Sequence, residues 1–270
     1  MNKKYSAITG RCFVNAPFDR LQKDLLGLFI DRRIQPEIGL EGGWFWDCSP
    51  DNFEKIALIL QQQGLDCTLH APFHDLAPGG FEPRVVALSR EKLQRAFALI
   101  PIFRPKAIVC HLGFEANKHQ ARFDRWLETS LATWQPLIDL AASAGTLVHF
   151  ENTYETGPMA HKRLLQELDG DNVGFCLDTG HLMAFANTGW QPWLDELEPW
   201  LGQLHLHDND GLTDAHQAPG TGNFDFPSLF QHLNNNNLCP LITLEPHSEH
   251  DLQLSMQYLH STGLLDLLPS

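Results

Sequence analysis

Ionisable residues close one apolar, strand-like run after another in this chain, and that recurrence limits the architectures open to it. DCTLH ends at His70, AIVCH at His111, LVHFE at Glu151, VGFCLD at Asp178 and PLITLE at Glu245. A charged group ending a buried strand faces a desolvation cost of several kcal/mol unless a metal, an ion partner or water receives it. One such ending is ordinary, whereas a succession of them needs a common destination. Together with His181, His205, Asp214 and His216 they make a set of candidate metal ligands at or just beyond strand-like segments.

Strand-like runs fall near residues 6–12, 36–41, 66–70, 106–111, 146–151, 173–178, 203–207 and 241–245. Between them, DNFEKIALILQQQ and SREKLQRAFALI carry apolar residues at three- and four-residue spacing, the period of an amphipathic helix. Ser49 or Asp51 is available to cap the first of these. Alternating strands and helices imply a parallel sheet, and eight such units in 270 residues imply a closed (β/α)8 TIM barrel. No linker interrupts the alternation, and the polar run Asn234 to Asn237 reads as a turn after a helix. The expectation is a single domain over residues 1–270 with the candidate ligands at the C-terminal mouth, where the loops after the strands build active sites.

Charge narrows the partners. With 33 acidic and 19 basic residues the formal net charge is −14, which argues against a general nucleic-acid binder, since those need a basic surface to neutralise phosphates. The same scarcity of Lys and Arg makes metal ligation a better account of Glu151 and Glu245 than inward salt bridges. Six cysteines, scattered and mostly in apolar runs, read as buried thiols of a reducing cytosol. MNKKYSAITG has no apolar segment, and no apolar run approaches the roughly 20 residues of a membrane span. A cytoplasmic protein with no membrane partner is expected.

Local spacing adds detail. Asp178 and His181 stand three apart across the glycine-containing turn of CLDTGH, so both can reach one ion or bridge two. His205 and His207 in LHLHDND share a strand face by the two-residue period, and either could ligate. Asp214 and His216 precede a glycine-rich turn in DAHQAPGTGNF. The motifs HAPF, CHLG, FENT, CLDTGH, HLHDND, DAHQAPGTGNF and LEP occur in that order from about Cys67 to Glu245. In this series the chain resembles the xylose-isomerase-like TIM-barrel superfamily, which includes endonuclease IV (AP endonuclease family 2) and the sugar phosphate isomerase/epimerase-like proteins.

The resemblance implies two chemistries. The endonuclease IV pattern, a trinuclear zinc site, maps onto His70, His111, Glu151, Asp178, His181, His205, Asp214, His216 and Glu245. The isomerase pattern, a mononuclear site, maps onto Glu151, Asp178, Glu245 and one seventh-strand histidine. Departures lie in the substrate loops: Phe73 stands where the endonuclease has Tyr, and GLEGGWFWDCS is acidic and aromatic rather than basic. Glu41 and Asp47 there would repel a phosphate backbone, whereas Trp44, Trp46 and Phe73 could wall a pocket, with His207 as a further substrate contact. These readings favour hydrolysis of a phosphoester in a small sugar or nucleoside phosphate, with duplex DNA a poor substrate. Two or three divalent ions would activate water, zinc first with Mn, Fe or Co as alternatives, and Glu151 and Glu245 would be catalytic. The alternative is a one-metal sugar or sugar-phosphate isomerase or epimerase. A non-catalytic metal- or sugar-binding barrel is a third reading, and the oligomeric state is open.

Overall fold

Eight parallel strands close on themselves in chain order: β1 (Phe13–Pro17), β2 (Gln35–Gly39), β3 (Thr68–His70), β4 (Ala107–His111), β5 (Leu147–Glu151), β6 (Val173–Asp178), β7 (Leu201–Leu206) and β8 (Leu241–Leu244). The structure, a computed structural model, describes residues 5–269, and of residues 6 and 7 the backbone alone. The principal helices are α1 (Leu26–Arg32), α2 (Pro50–Gln62), α3 (Pro83–Phe97), α4 (Phe123–Ser143), α5 (Met159–Glu167), α6 (Gln191–Leu197), α7 (Phe226–Asn235) and α8 (Glu249–Thr262). The barrel closes through Phe13 opposite Thr243 and Val14 opposite Leu244.

The first strand lies later than the sequence suggested. Residues 6–12 hold a single helical turn, Ser6–Thr9, followed by a return in which the N–H groups of Arg11 and Cys12 both donate to the Ile8 carbonyl. Those bonds use the backbone groups that a ladder would need, so pairing begins at Phe13. The other seven strands fall within about two residues of expectation, the usual uncertainty of such boundaries. Helix α2 begins with Ser49 at the capping position, but its hydroxyl makes no capping bond; Pro50, whose missing N–H costs nothing there, starts the helix.

Side chains alternate across each strand, and the two faces have opposite chemistry. Outward residues are apolar: Phe150 packs edge-on against Trp134 of α4 at 5.0 Å, and Phe175 lies parallel to Trp193 of α6 at 6.0 Å. Inward residues are polar in the middle of the barrel, where branched aliphatics usually fill the layers. Glu37, Thr68, His149, Gln203 and Thr243 are all buried and hydrogen-bonded to one another. His149 fits because β6 and β7 present glycine to it: a Cβ at Gly202 would come within 2.4 Å of its ring and one at Gly174 within 2.8 Å.

Cys12, Cys67, Cys110 and Cys176 are buried thiols, Cys48 is half-buried, and Cys239 departs from the expectation by being exposed. Among the described residues no helix is long and apolar enough to cross a membrane. The apolar packing between strands and helices supports the polar interior, so truncating it should be costly. We expect Phe150→Ala to lower unfolding free energy by about 3–5 kcal/mol, the range for deleting a buried aromatic, as read by denaturant unfolding. A loss below about 1 kcal/mol would show that the β5–α4 contact does not support the barrel.

Candidate metal centre

Strand register places the first donors. His111 sits opposite Glu151 in the β4–β5 ladder, and Asp178 opposite His205 in the β6–β7 ladder. Glu245, one residue past β8, and His207, one past β7, project at the same level. The Asp178 to His181 spacing works as a helix cap: the Asp178 carboxylate accepts the His181 backbone N–H at 2.7 Å, which turns the His181 ring back over the barrel. Gly180 between them is required for packing, because a Cβ there would meet His207 Cε1 at 2.0 Å.

Asp214 and His216 arrive by a longer route. The loop after β7 folds back through paired backbone bonds between Asp208 and Gln217, and the buried Asp208 carboxylate accepts the N–H groups of Asn209, Gly220, Gly222 and Phe224. His216 takes a left-handed backbone at φ 46° to enter the mouth, a conformation that a non-glycine residue adopts at some cost.

The result is one continuous cluster. Glu151 lies 3.1 Å from His70, 2.9 Å from His111, 3.1 Å from His181 and 3.4 Å from His205. Glu245 lies 3.1 Å from His205 and 3.6 Å from His216, and Asp178 lies 2.9 Å from His207. Asp214 lies 3.4 Å from His181 and 3.2 Å from His216. All nine residues expected as ligands therefore meet at one mouth, in overlapping groups that could each hold an ion: His70, His111 and Glu151; Glu151, Asp178 and His205; Glu37, His205 and Glu245; Asp178, His207 and Glu245; His181, His207, Asp214 and His216. His207, expected as a substrate contact, lies among these donors, its ring stacked on His216 at 3.9 Å.

The electrostatics call for a cation. Glu37, Glu151 and Asp178 are at most 1% exposed and Glu245 is 8% exposed, yet among the described residues none of their ion-pair partners is Lys or Arg. Their partners are imidazoles whose other nitrogen is largely committed. Nδ1 of His70 lies 3.1 Å from the Ala71 carbonyl, that of His181 2.9 Å from the Asn152 carbonyl, and that of His216 3.2 Å from the Glu245 carbonyl. A carbonyl can only accept, so each Nδ1 carries the proton and each neutral ring turns the Nε2 lone pair toward carboxylates. A proton or a metal must separate them. Nδ1 of His205, Nδ1 of His207 and Oδ1 of Asp214 are buried without a hydrogen-bond partner. This carboxylate-imidazole set fits zinc and related divalent ions.

Without an ion, protons take that role. Burial opposes the imidazolium of His205, but Cys176, Glu37, Glu245 and Glu151 around it hold its pKa well above the ordinary value. For His181 burial is likewise outweighed, by Asp178, Asp214 and Glu151. His216 is raised to about 9 against its burial, chiefly by Asp214 and Glu245. Burial would raise the pKa of Glu151 and Glu245, yet the surrounding histidines, His205 first, hold both below the carboxylate range.

A cavity of about 430 Å³ opens over the cluster, with Phe73, Tyr154, Phe185, Pro246 and His247 on its walls and no Lys or Arg among its lining residues. Phe73 stacks on His111 at 4.0 Å. Trp44 and Trp46 do not line it; Trp44 is instead packed on Phe18 at 5.4 Å and against Phe45 and Phe53. Glu41 does not present a bare charge either. It pairs with Lys92 at 2.9 Å and accepts the N–H groups of Phe73 and His74, so it holds the loop that carries Phe73.

A family model described as xylose isomerase-like TIM barrel matches residues 37–262, a span that takes in every one of these donors. The chain belongs to that family. One member-like relative, an uncharacterised protein of Methanocaldococcus jannaschii, is 25% identical over 238 residues, 83% of this chain and 78% of that one. A probable endonuclease 4 of Mycobacterium leprae is 28% identical over 180 residues, 62% of this chain and 68% of its own. Among solved structures, a D-tagatose 3-epimerase-like protein aligns with TM-score 0.79 at 21% identity, covering 95% of this chain and 98% of the other. An L-ribulose 3-epimerase aligns with TM-score 0.73 at 15% identity, covering 95% of each. At such identities the structural likeness speaks for the xylose isomerase-like fold.

Glu37 and His247 were not singled out by sequence reasoning. A carboxylate inside the short buried run QPEIG was the available signal for Glu37, whereas nothing in PHSEH marks His247, which stacks on His216 at 4.2 Å. Glu41 supplies a pH prediction. Burial would raise its pKa, but the N–H groups of His74 and Phe73 together with Lys92 lower it from 4.5 to about 2. The folded state thus keeps Glu41 ionised at lower pH than the unfolded chain, so its contribution is complete above pH 4.5 and fades as pH falls toward about 2. Glu41→Gln should flatten the acid side of the stability profile over that window in thermal unfolding; a profile parallel to the parent's would count against the anchoring role.

Proposed function

We propose that the chain is a divalent-metal-dependent epimerase or isomerase acting on a small sugar without a phosphate group. The observation that carries this reading is the cavity lining: carboxylates, imidazoles and aromatic faces, with no Lys or Arg to receive a phosphate. Phosphoester hydrolysis, which the sequence favoured, takes second place for that reason. The epimerases among the fold neighbours are in line with this choice, and the free thiols fit a cytoplasmic enzyme.

Glu151, Asp178, His205 and Glu245 would hold the principal ion. That ion would polarise sugar oxygens as a Lewis acid and make the adjacent C–H more acidic. The remaining steps belong to side chains. Glu151 and Glu245 both approach His205 Nδ1, at 3.4 and 3.1 Å, and both are ionised carboxylates set for proton transfer. One, as the carboxylate, would take the proton from the carbon beside the carbonyl; for epimerisation the other would first take up a proton from solvent and deliver it to the opposite face, and for isomerisation the first would return its own proton to the neighbouring carbon while a hydroxyl proton passes between the two oxygens. His70, His111 and His181 would orient sugar hydroxyls, and Phe73 and Tyr154 would cover the apolar face of the ring and limit water. Duplex DNA is not a substrate on this reading, because no Lys or Arg lines the cavity over the cluster to receive its phosphates.

Phosphoester hydrolysis keeps one specific observation in its favour, the adjoining donor groups, two of which share Glu151, that could hold a polynuclear cluster. Metal analysis and product analysis separate the two. We expect metal-loaded protein to exchange carbon-bound hydrogen of free ketoses or keto-sugars with D2O, seen by NMR. We expect Glu151→Gln and Glu245→Gln each to reduce that exchange by about 10²-fold or more, the scale of removing an acid-base group. About three ions per chain together with Glu151-dependent phosphate release and no sugar exchange would overturn the proposal in favour of hydrolysis.

A further inference from the structure

His205 is oriented opposite to its neighbours. His70, His181 and His216 each place Nδ1 beside a backbone carbonyl, His181 Nδ1 lying also 3.1 Å from Glu151, whereas His205 Nδ1 has no carbonyl partner among the described residues and faces Glu245 and Glu151, with Nε2 at its back. Behind it stands Glu37, fully buried on β2, with Oε1 3.1 Å from His205 Nε2. That oxygen has no properly angled hydrogen bond, and His205 is the one ion-pair contact the described residues give it.

The other oxygen of Glu37 is locked. Oε2 accepts from Gln203 Nε2 at 2.7 Å, Thr68 Oγ1 at 2.9 Å and Thr243 Oγ1 at 2.9 Å. The orientation of Gln203 is itself determined, because its Oε1 faces His149 Nδ1 at 2.9 Å while its amide N–H groups go to Glu37 and Thr243. Gln203 Nε2 also lies 3.3 Å from His205 Nε2, but both of its protons are committed elsewhere. His205 Nε2 therefore faces an acceptor-only carboxylate and no available donor. It must carry the proton, which leaves the Nδ1 lone pair for an ion held with Glu151, Asp178 and Glu245.

We propose that Glu37 is a positioning residue that selects the Nε2–H tautomer of His205 and so makes Nδ1 its metal-binding atom. The inference rests on the metal-binding part of the reading above and is independent of which sugar is turned over. Carboxylates behind a metal-bound imidazole hold ring orientation and increase its basicity. Glu37→Gln keeps the size but replaces an acceptor oxygen with an amide that can donate to Nε2, which favours the opposite tautomer.

The test is metal affinity and cobalt spectroscopy on the full chain. Wild-type protein is first titrated with Co(II) against a chromophoric chelator; failure to bind would remove the metal reading itself. With wild-type binding established, Glu37→Gln should bind Co(II) about 10- to 100-fold more weakly, with a displaced visible absorption band, while its far-UV circular dichroism stays that of the parent. A merely structural role would lower the unfolding temperature and leave both affinity, within about threefold, and band position unchanged, and that result would overturn the proposal. Should Glu37→Gln not fold, 15N-histidine NMR of the zinc-loaded wild type decides instead. His205 protonated at Nε2 and bound through Nδ1 is the expected signature, and the reverse assignment overturns it.

Discussion

Burial of carboxylates opposite imidazoles alone is the constraint on which this structure turns. Glu37, Glu151, Asp178, Asp214 and Glu245 converge with six histidines at the mouth and upper interior of the barrel, and among the described residues no guanidinium or ammonium group is paired with any of them. Isolated ionised groups in such a setting are costly enough that they neutralise or find a counter-charge. An imidazole can answer with either a proton or a lone pair, which makes the cluster a receptor for protons at one extreme and divalent ions at the other.

That constraint shapes the interior below the mouth. A barrel of this kind can fill its centre with aliphatic layers, but here the centre is a hydrogen-bonded layer built on Glu37, Gln203, Thr68 and Thr243. Such a network is stable only when nearly every member is satisfied. The apolar driving force is correspondingly displaced to the seam between strands and helices, where Phe150, Phe175, Trp134 and Trp193 are buried. Rigid strands and a satisfied lower layer hold the donors in place before any ligand arrives, the condition for binding energy to be used on chemistry rather than on ordering.

The loops complete what the strands begin. Glu41 and Lys92 hold the segment carrying Phe73, and the Asp208 carboxylate gathers four backbone N–H groups so that Asp214 and His216 can return to the centre. From the sequence Glu41 read as a charge that would repel phosphate and Asp208 was not singled out, because an acidic residue in a loop is usually solvated. In the folded chain each is an acceptor of backbone N–H groups that shapes the site, Glu41 from the cavity wall and Asp208 from beneath the loop.

Much of the fold was legible in the chain itself. Strand-helix alternation, apolar runs of strand length and ionisable residues at their ends are local patterns, and each strand end was readable because buried apolar segments do not terminate in charge without cause. The first strand was not legible: residues 6–12 are apolar enough to pair, but local bonds to the Ile8 carbonyl compete successfully, and only the closed sheet shows that Phe13 opens the ladder. The donor residues followed from the chain, but their division of labour did not. Whether His205 or His207 faces Glu151, which nitrogen each ring presents, that Trp44 packs on Phe18 rather than on the cavity, and that Glu37 stands behind His205 all depend on contacts between residues far apart in sequence. Spacing along the chain sets which residues can share a face, whereas tautomer, orientation and counter-charge are decided by what the closed barrel brings within hydrogen-bonding distance.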